Sequence, residues 1–194
     1  MFGYIEGKLV GLSPTQTYID IGGVGYEVQI TLYTYETIRD KERCRLFTHL
    51  QIREDAWILY GFATESEKSA FQKLLSISGV GAATARMLLS SLSPDDLYRL
   101  VTNGDSKALE QVKGIGNKTA QRIILELKGK LPEAGDGEIS GWTHNTPEQD
   151  ALIALVGLGI AKTMAEAALK KAKAQLNGDA YHVEDLIKSA LKNL

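Results

Sequence analysis

Two periods divide the chain. Up to residue 63, apolar positions alternate in short runs rich in β-branched and aromatic residues. Tyr4 to Val10, Gln16 to Ile21 and Tyr26 to Leu32 are strand candidates, separated by Ser13-Pro14 and Gly22-Gly23-Val24-Gly25. Arg43 to Ile52 alternates, with Cys44, Leu46, Thr48, Leu50 and Ile52 on one face. Ala56 to Phe62 supplies a fifth strand. Five short strands within residues 1–63 predict a small Greek-key barrel of the OB type. In such a barrel Cys44 is a small core residue.

From residue 64 the period becomes helical. Glu65 to Leu75 leads into Ser76-Ile77-Ser78-Gly79-Val80-Gly81, and Ala82 to Leu92 leaves it. Ser93 is an N-cap, Pro94 the first helical residue, and Asp95 and Asp96 fill the first turn. That helix runs to about Val101 and stops at Asn103-Gly104-Asp105. Ser106 to Val112 then enters a second Gly-apolar-Gly turn at Gly114-Ile115-Gly116, and Asn117 to Gly129 leaves it. The second turn repeats the first at an offset of 35 residues, with identities at Leu74, Gly79, Gly81, Thr84, Ala85 and Leu92. One Gly-apolar-Gly is a weak signal, but two copies with matched apolar spacing point to phosphate held by backbone N–H groups at helix starts. Gly116-Asn117-Lys118-Thr119 is no P-loop, because Gly does not directly precede Lys.

Residues 132–147 are rich in Gly, Pro and acids and form a linker, in which Trp142 has no evident role. Residues 148–194 carry three short helical patterns: Glu148 to Val156, a second to about Leu176 with Thr163 as its cap and Asn177-Gly178 as its stop, and Val183 to Leu191. Leu152, Leu155, Met164, Ala168, Leu186 and Ile187 are placed to pack together. So thin a core leaves apolar residues near its surface, which suits a tethered module that binds a protein.

Charge sharpens this division. Net charge is −2, but residues 64–131 hold 10 basic against 7 acidic side chains, while both flanks are acidic. The basic excess falls on the paired turns, where phosphate binding needs it. With 44% hydrophobic and 24% charged residues, the composition is that of a soluble globular protein. The single cysteine excludes an intrachain disulfide and fits a reducing compartment. The N-terminus has no signal-peptide pattern, and the longest apolar run, Ala151 to Ala161, is too short to span a membrane. His49, His144 and His182 show no metal-ligand spacing, so no metal site and no catalytic residue are expected. Arg53-Glu54-Asp55, between the last two strands, reads as a solvated hairpin tip or as two carboxylates presented at a defined place.

With these motifs together the chain resembles the RuvA family over its full length. The most specific parts are Arg53-Glu54-Asp55-Ala56 followed by Leu59-Tyr60-Gly61-Phe62, and the second turn with Lys118-Thr119-Ala120 and Arg122. The resemblance implies an α+β multi-domain chain: an OB-type barrel (1–63), a tandem helix-hairpin-helix domain (64–131), the linker (132–147) and a UBA-like three-helix bundle (148–194). It implies a non-catalytic, cytoplasmic bacterial subunit that binds four-way junction DNA and works in recombination and repair. It would form a homotetramer, or two tetramers sandwiching the DNA. Its partners would be the hexameric RuvB motor ATPase and the RuvC junction resolvase. It would hold no cofactor of its own, ATP being used by the motor. Gly79, Val80, Gly81, Gly114, Ile115 and Gly116 would present amides to phosphates, with Arg86, Lys118, Thr119, Arg122 and Arg53 around them. Glu54 and Asp55 would form an acidic pin at the junction centre, repelling phosphates. The motor would dock on the third domain, through Leu155, Leu158, Ile160, Leu169 and Leu186. One departure is that Ala82-Ala83 stand where family members often carry a lysine, which leaves Arg86 to supply charge. The competing reading is a glycosylase or nuclease with the same hairpins. It would need an Asp roughly twenty residues on, and Asp136 near that distance sits in the linker without a wall to desolvate it. A pure protein adaptor is a third possibility.

Overall fold

Five strands close into a barrel in the order β1-β2-β3-β5-β4: β1 (Tyr4–Ser13), β2 (Gln16–Ile21), β3 (Val24–Ile30), β4 (Arg43–Ile52) and β5 (Trp57–Phe62). The computed structural model describes residues 2–131, 146–175 and 182–193, in two compact units, Met1–Ile139 and Ser140–Leu194. Neighbouring strands are antiparallel except at the closing seam, where β3 and β5 run parallel with Gln29 opposite Tyr60 and Ile30 opposite Gly61. Gly61 is required there: a Cβ would meet Val28 Cγ1 at 2.4 Å. Alternation buries Ile5, Ile19, Val28, Ile30, Cys44, Leu46 and Leu59 inside the barrel. Cys44 is thus a core residue, and burial pushes its thiol up.

The run from Tyr26 does not stay extended to Leu32. It ends at Ile30, and α1 (Leu32–Ile38) begins. Thr31 is its N-cap, its hydroxyl accepting from the Thr34 N–H at 3.0 Å. Thr34 and Ile38, four apart, face inward, and Ile38 joins the barrel core.

The helices follow as α2 (Glu65–Leu75), α3 (Ala82–Ser91), α4 (Pro94–Asn103), α5 (Ser106–Glu110) and α6 (Asn117–Leu127). Ser93 caps α4 as expected, and Gly104 ends it in the left-handed conformation at φ 71°. Barrel and helices share apolar contacts. Tyr60 and Phe62 of β5 pack with Phe71, Leu74, Leu88 and Leu97 in one buried cluster. The Phe71 ring lies 5.0 Å from Tyr60, 4.8 Å from Phe62 and 5.5 Å from His49. A fully buried aromatic of this kind contributes roughly 1.5–3 kcal/mol.

The second unit contains α7 (Pro147–Gly157), α8 (Lys162–Gln175) and α9 (Val183–Lys192). The expected linker ends two residues early: Thr146 caps α7 in a capping box with Gln149, and Pro147 is helical. Thr163 does not cap α8, because the helix already includes Lys162. The core is Ala151, Leu155, Ala165, Ala168, Leu169, Ala172, Leu186 and Ala190. Met164, expected in it, is exposed at the edge of the buried stripe of α8, and Ala165 takes its place. Trp142, Asp136 and Asn177-Gly178 lie outside the described residues. Among those described, no helix is long and apolar enough to cross a membrane.

Candidate nucleic-acid interface

The two glycine turns are copies of one backbone. Gly79 has φ +91° and Gly114 has φ +90°, a region that strongly favours glycine. Gly81, before α3, has φ −90° and ψ 172°; Gly116, before α6, has φ −88° and ψ 168°. The hydrogen bonds correspond one to one. Val80 N–H donates to Ile77 O and Ile115 N–H to Val112 O, both at 3.0 Å. Ala85 N–H donates to Gly81 O and Ala120 N–H to Gly116 O, both at 2.9 Å. The side chains of Ile77, Val80, Val112 and Ile115 are buried. Val80 and Ile115 therefore reach a ligand only through the backbone, while their side chains anchor the turns.

Gly81 and Gly116 need glycine for neither torsion nor packing, since a Cβ on either would meet nothing within 4 Å. Their bareness leaves the helix starts open. Neither α3 nor α6 has a side-chain N-cap bond or an acid in its first turn. The first amides and the positive dipole end of each helix are thus uncompensated, which suits an anion.

Side chains distinguish the copies. At the second turn Lys118 is exposed, Thr119 is half-buried, and Arg122 is exposed with Nη1 donating to the Ser78 carbonyl of the first turn at 2.9 Å. Arg122 thereby links the two turns. Lys113, exposed and directly before Gly114, was missed by the sequence reading. Its signal is its place in the repeat, where the first turn has Ser78. Arg86 is committed elsewhere: Nη1 donates to Gln29 Oε1 of β3 at 2.5 Å. It lines a cleft with Glu27, Gln29, Trp57 and Tyr60, on the barrel side of α3. Lys73, in the last turn of α2, is half-buried, and burial pushes its ammonium down.

Glu54 and Asp55 are the two central residues of the four-residue turn, Arg53 to Ala56, that joins β4 to β5. Ile52 pairs with Trp57, and Arg53 N–H donates to Ala56 O at 2.9 Å. Both carboxylates are exposed, and neither makes an ion pair among the described residues. Arg53 Nη2 donates to Gln51 Oε1 at 3.3 Å, along its own strand.

In the second unit, Leu155, Leu169 and Leu186 belong to the core and cannot meet a partner while the bundle is folded. Ile160 is partly buried. Leu158 is exposed, as are Ile153 and Val156, which lie three apart on one face of α7.

Three family descriptions match the chain in order: RuvA N terminal domain over residues 1–61, SAM-like helix-hairpin-helix tandem over 71–130, and RuvA C-terminal domain over 146–194. The chain belongs to the RuvA family. A relative from Flavobacterium psychrophilum is 46% identical over 195 residues, covering all of both chains. One from Cytophaga hutchinsonii is 43% identical over 99% of each. A third, from Amoebophilus asiaticus, is 44% identical over 99% of this chain and all of its own. Each is described as a Holliday junction branch migration complex subunit RuvA. The family layout places the paired turns in the middle match and the Glu54-Asp55 loop in the first.

Proposed function

We propose that this protein is the subunit of a branch-migration complex that binds four-way junctions, and that it carries out no chemistry itself. The observation that carries the reading is the pair of torsionally matched turns, each ending at an uncapped, acid-free helix start. They contact phosphates without reading sequence. Selectivity for a crossover then comes from a fourfold assembly that sets four copies of Glu54-Asp55 at one centre and repels strands that stay together. A second tetramer on the opposite face of the DNA is the larger form. The third domain recruits the RuvB motor, through the exposed Ile153, Val156 and Leu158 rather than the core leucines. ATP is hydrolysed by that motor, and this chain needs no cofactor. RuvC meets the assembled junction, and the work is cytoplasmic.

Gel shifts at moderate salt test the reading, with binding to a four-way junction expected to be tighter than to linear duplex of the same arm sequence. Equal affinity would sink it. Neutralising the loop as Glu54→Gln with Asp55→Asn should raise duplex binding, because a repulsive element is removed. An unchanged duplex affinity counts against the pin.

A further inference from the structure

The most unusual side chain in the first unit is Glu67. It is fully buried, on the first turn of α2. Thr64-Glu65-Ser66-Glu67 is a capping-box sequence, in which the Glu side chain would fold back onto the N-cap N–H. Half of the box forms: Thr64 Oγ1 accepts from Glu67 N–H at 3.1 Å. The carboxylate instead turns inward. It accepts from the Thr31 hydroxyl, from the Thr34 hydroxyl at 2.7 Å and from the Ala63 N–H at 3.1 Å. The Thr34 oxygen in turn accepts from Ala63 N–H at 2.9 Å, and the Thr31 oxygen from Thr34 N–H at 3.0 Å. The donors come from the N-cap of α1, from α1 itself and from the link between β5 and α2. Glu67 makes no ion pair among the described residues.

A buried carboxylate without a cation is costly, and an apolar residue would fill the space more cheaply. Burial pushes the carboxyl up to about 7, against the pull of the bonds from Thr31, Thr34 and Ala63. What the charge provides is direction. Apolar contacts such as those of Phe71 are non-directional, whereas charge-assisted hydrogen bonds are short and angular. These bonds sit where the chain passes from barrel to helices. Behind them, β5 leads back to the Glu54-Asp55 loop. Ahead of them, α2 leads into the first glycine turn.

We propose that Glu67 is a positioning residue that fixes the first phosphate-binding turn relative to the acidic loop, so that preference for a junction over duplex requires its ionised form. The inference rests on the junction-binding function proposed above. A duplex needs only the turns, but a junction must meet turns and loop at once. When Glu67 takes up a proton, one of its oxygens must donate instead of accept, the Thr31 or Thr34 hydroxyl facing it has to turn its own proton away, and the charge-assisted bonds that make the angular tie weaken. Tyr33 on α1 is the titratable neighbour that registers the Glu67 charge. Its hydroxyl is pushed up by burial first, then by Glu67 and by Asp95, so it stays neutral across the relevant range. His49, packed on Phe71, is pushed down by burial and then by Lys68, and it is identical in the variants below.

The experiment measures junction and duplex affinities of the full chain from pH 6 to 8.5, for wild type, Glu67→Gln and Glu67→Asp. The wild-type preference should rise with pH through about 7. In Glu67→Gln it should be lower at high pH, on the order of tenfold, and flat with pH. Glu67→Asp should restore part of the slope. Thr34→Val removes one donor from the carboxylate, and it should move the midpoint to higher pH. It supplies the test if the Gln variant folds poorly. Superposable profiles for wild type and Glu67→Gln, or an unmoved midpoint in Thr34→Val, overturn the inference while leaving junction binding intact. A wild type with no junction preference at any pH overturns the proposed function, and the inference with it.

Discussion

The two glycine turns have the same backbone and different surroundings. The first is tied to the barrel: Glu67 holds the helix that enters it, and Arg86 on the helix that leaves it is bonded to Gln29. Its own surface has little charge to offer, with Ala82 and Ala83 after its glycines. The second turn has Lys113, Lys118 and Arg122 around it. It meets the first turn through the bond from Arg122 to Ser78. The copies differ in what surrounds a shared backbone: the first is held by bonds to the barrel, and the second is ringed by basic side chains. Matched torsions thus conserve what both copies need, the open amides, and leave the side chains free to diverge.

The sharpest way to probe this division is the anchor. The Glu67 carboxyl titrates at about 7 in the folded protein, above its ordinary 4.5. The folded state therefore holds the proton more tightly than the unfolded chain. That contribution to stability is fully present below about pH 4.5 and is lost as pH rises through 7. Glu67→Gln cannot ionise, so at pH 8 it should be more stable than wild type, by at most about 3 kcal/mol, with the difference vanishing near pH 4.5. Urea denaturation at the two pH values measures this. A gain in stability beside a loss of junction preference is the trade expected where a buried charge serves function.

Next in size is the backbone. Gly79→Val and Gly114→Val each force a β-branched residue to φ near +90°, and each should cost on the order of 2 kcal/mol of stability. The costs should be equal, because the torsions are equal. Lost DNA affinity should be greater for Gly114→Val, which disturbs the charged copy. Thermal melts and gel shifts separate the two effects, and unequal melting shifts would break the equivalence of the turns.

The smallest effects concern single charges. Lys118→Ala should weaken junction and duplex alike and reduce the salt slope of binding by about one. Arg86→Ala should leave that slope unchanged, because its guanidinium is engaged by Gln29. A reduced slope for Arg86→Ala would show that this residue reaches phosphate after all, and the first turn would count as a charged clamp too.

Most of the fold was legible where one period dominated. β2 and β4 begin and end at the residues that alternation marked, and α2 spans its predicted range. Leu32 to Ile38 was not legible as a helix, because Tyr, Thr and Ile favour strands locally. The helix exists through tertiary context: Thr31 caps it, Ile38 enters the barrel, and Thr34 meets Glu67. The turns were legible because they occur twice. The role of Glu67 was not, since its sequence context matches a purely local cap. The bond from Arg86 to Gln29 was not legible either, because helical spacing places Arg86 one turn from the glycines without saying which way it points. The core leucines of the second unit were misjudged because apolar residues on a short amphipathic helix look alike until the packing chooses between faces.

The buried pairs beneath the turns have a consequence of their own. The first turn seats Ile77 and Val80, and the second seats Val112 and Ile115. Each socket holds one isoleucine and one valine in reverse order, so the filled volume is conserved while the shape is mirrored. Residues 76–81 are therefore a cartridge that can replace 111–116 with four changes, Gln111→Ser, Val112→Ile, Lys113→Ser and Ile115→Val. Such a swap would alter neither the torsions nor the buried volume, and would strip Lys113 from the surface. The chain carries within itself the parts for a graft between its own two turns that separates backbone shape from surface charge.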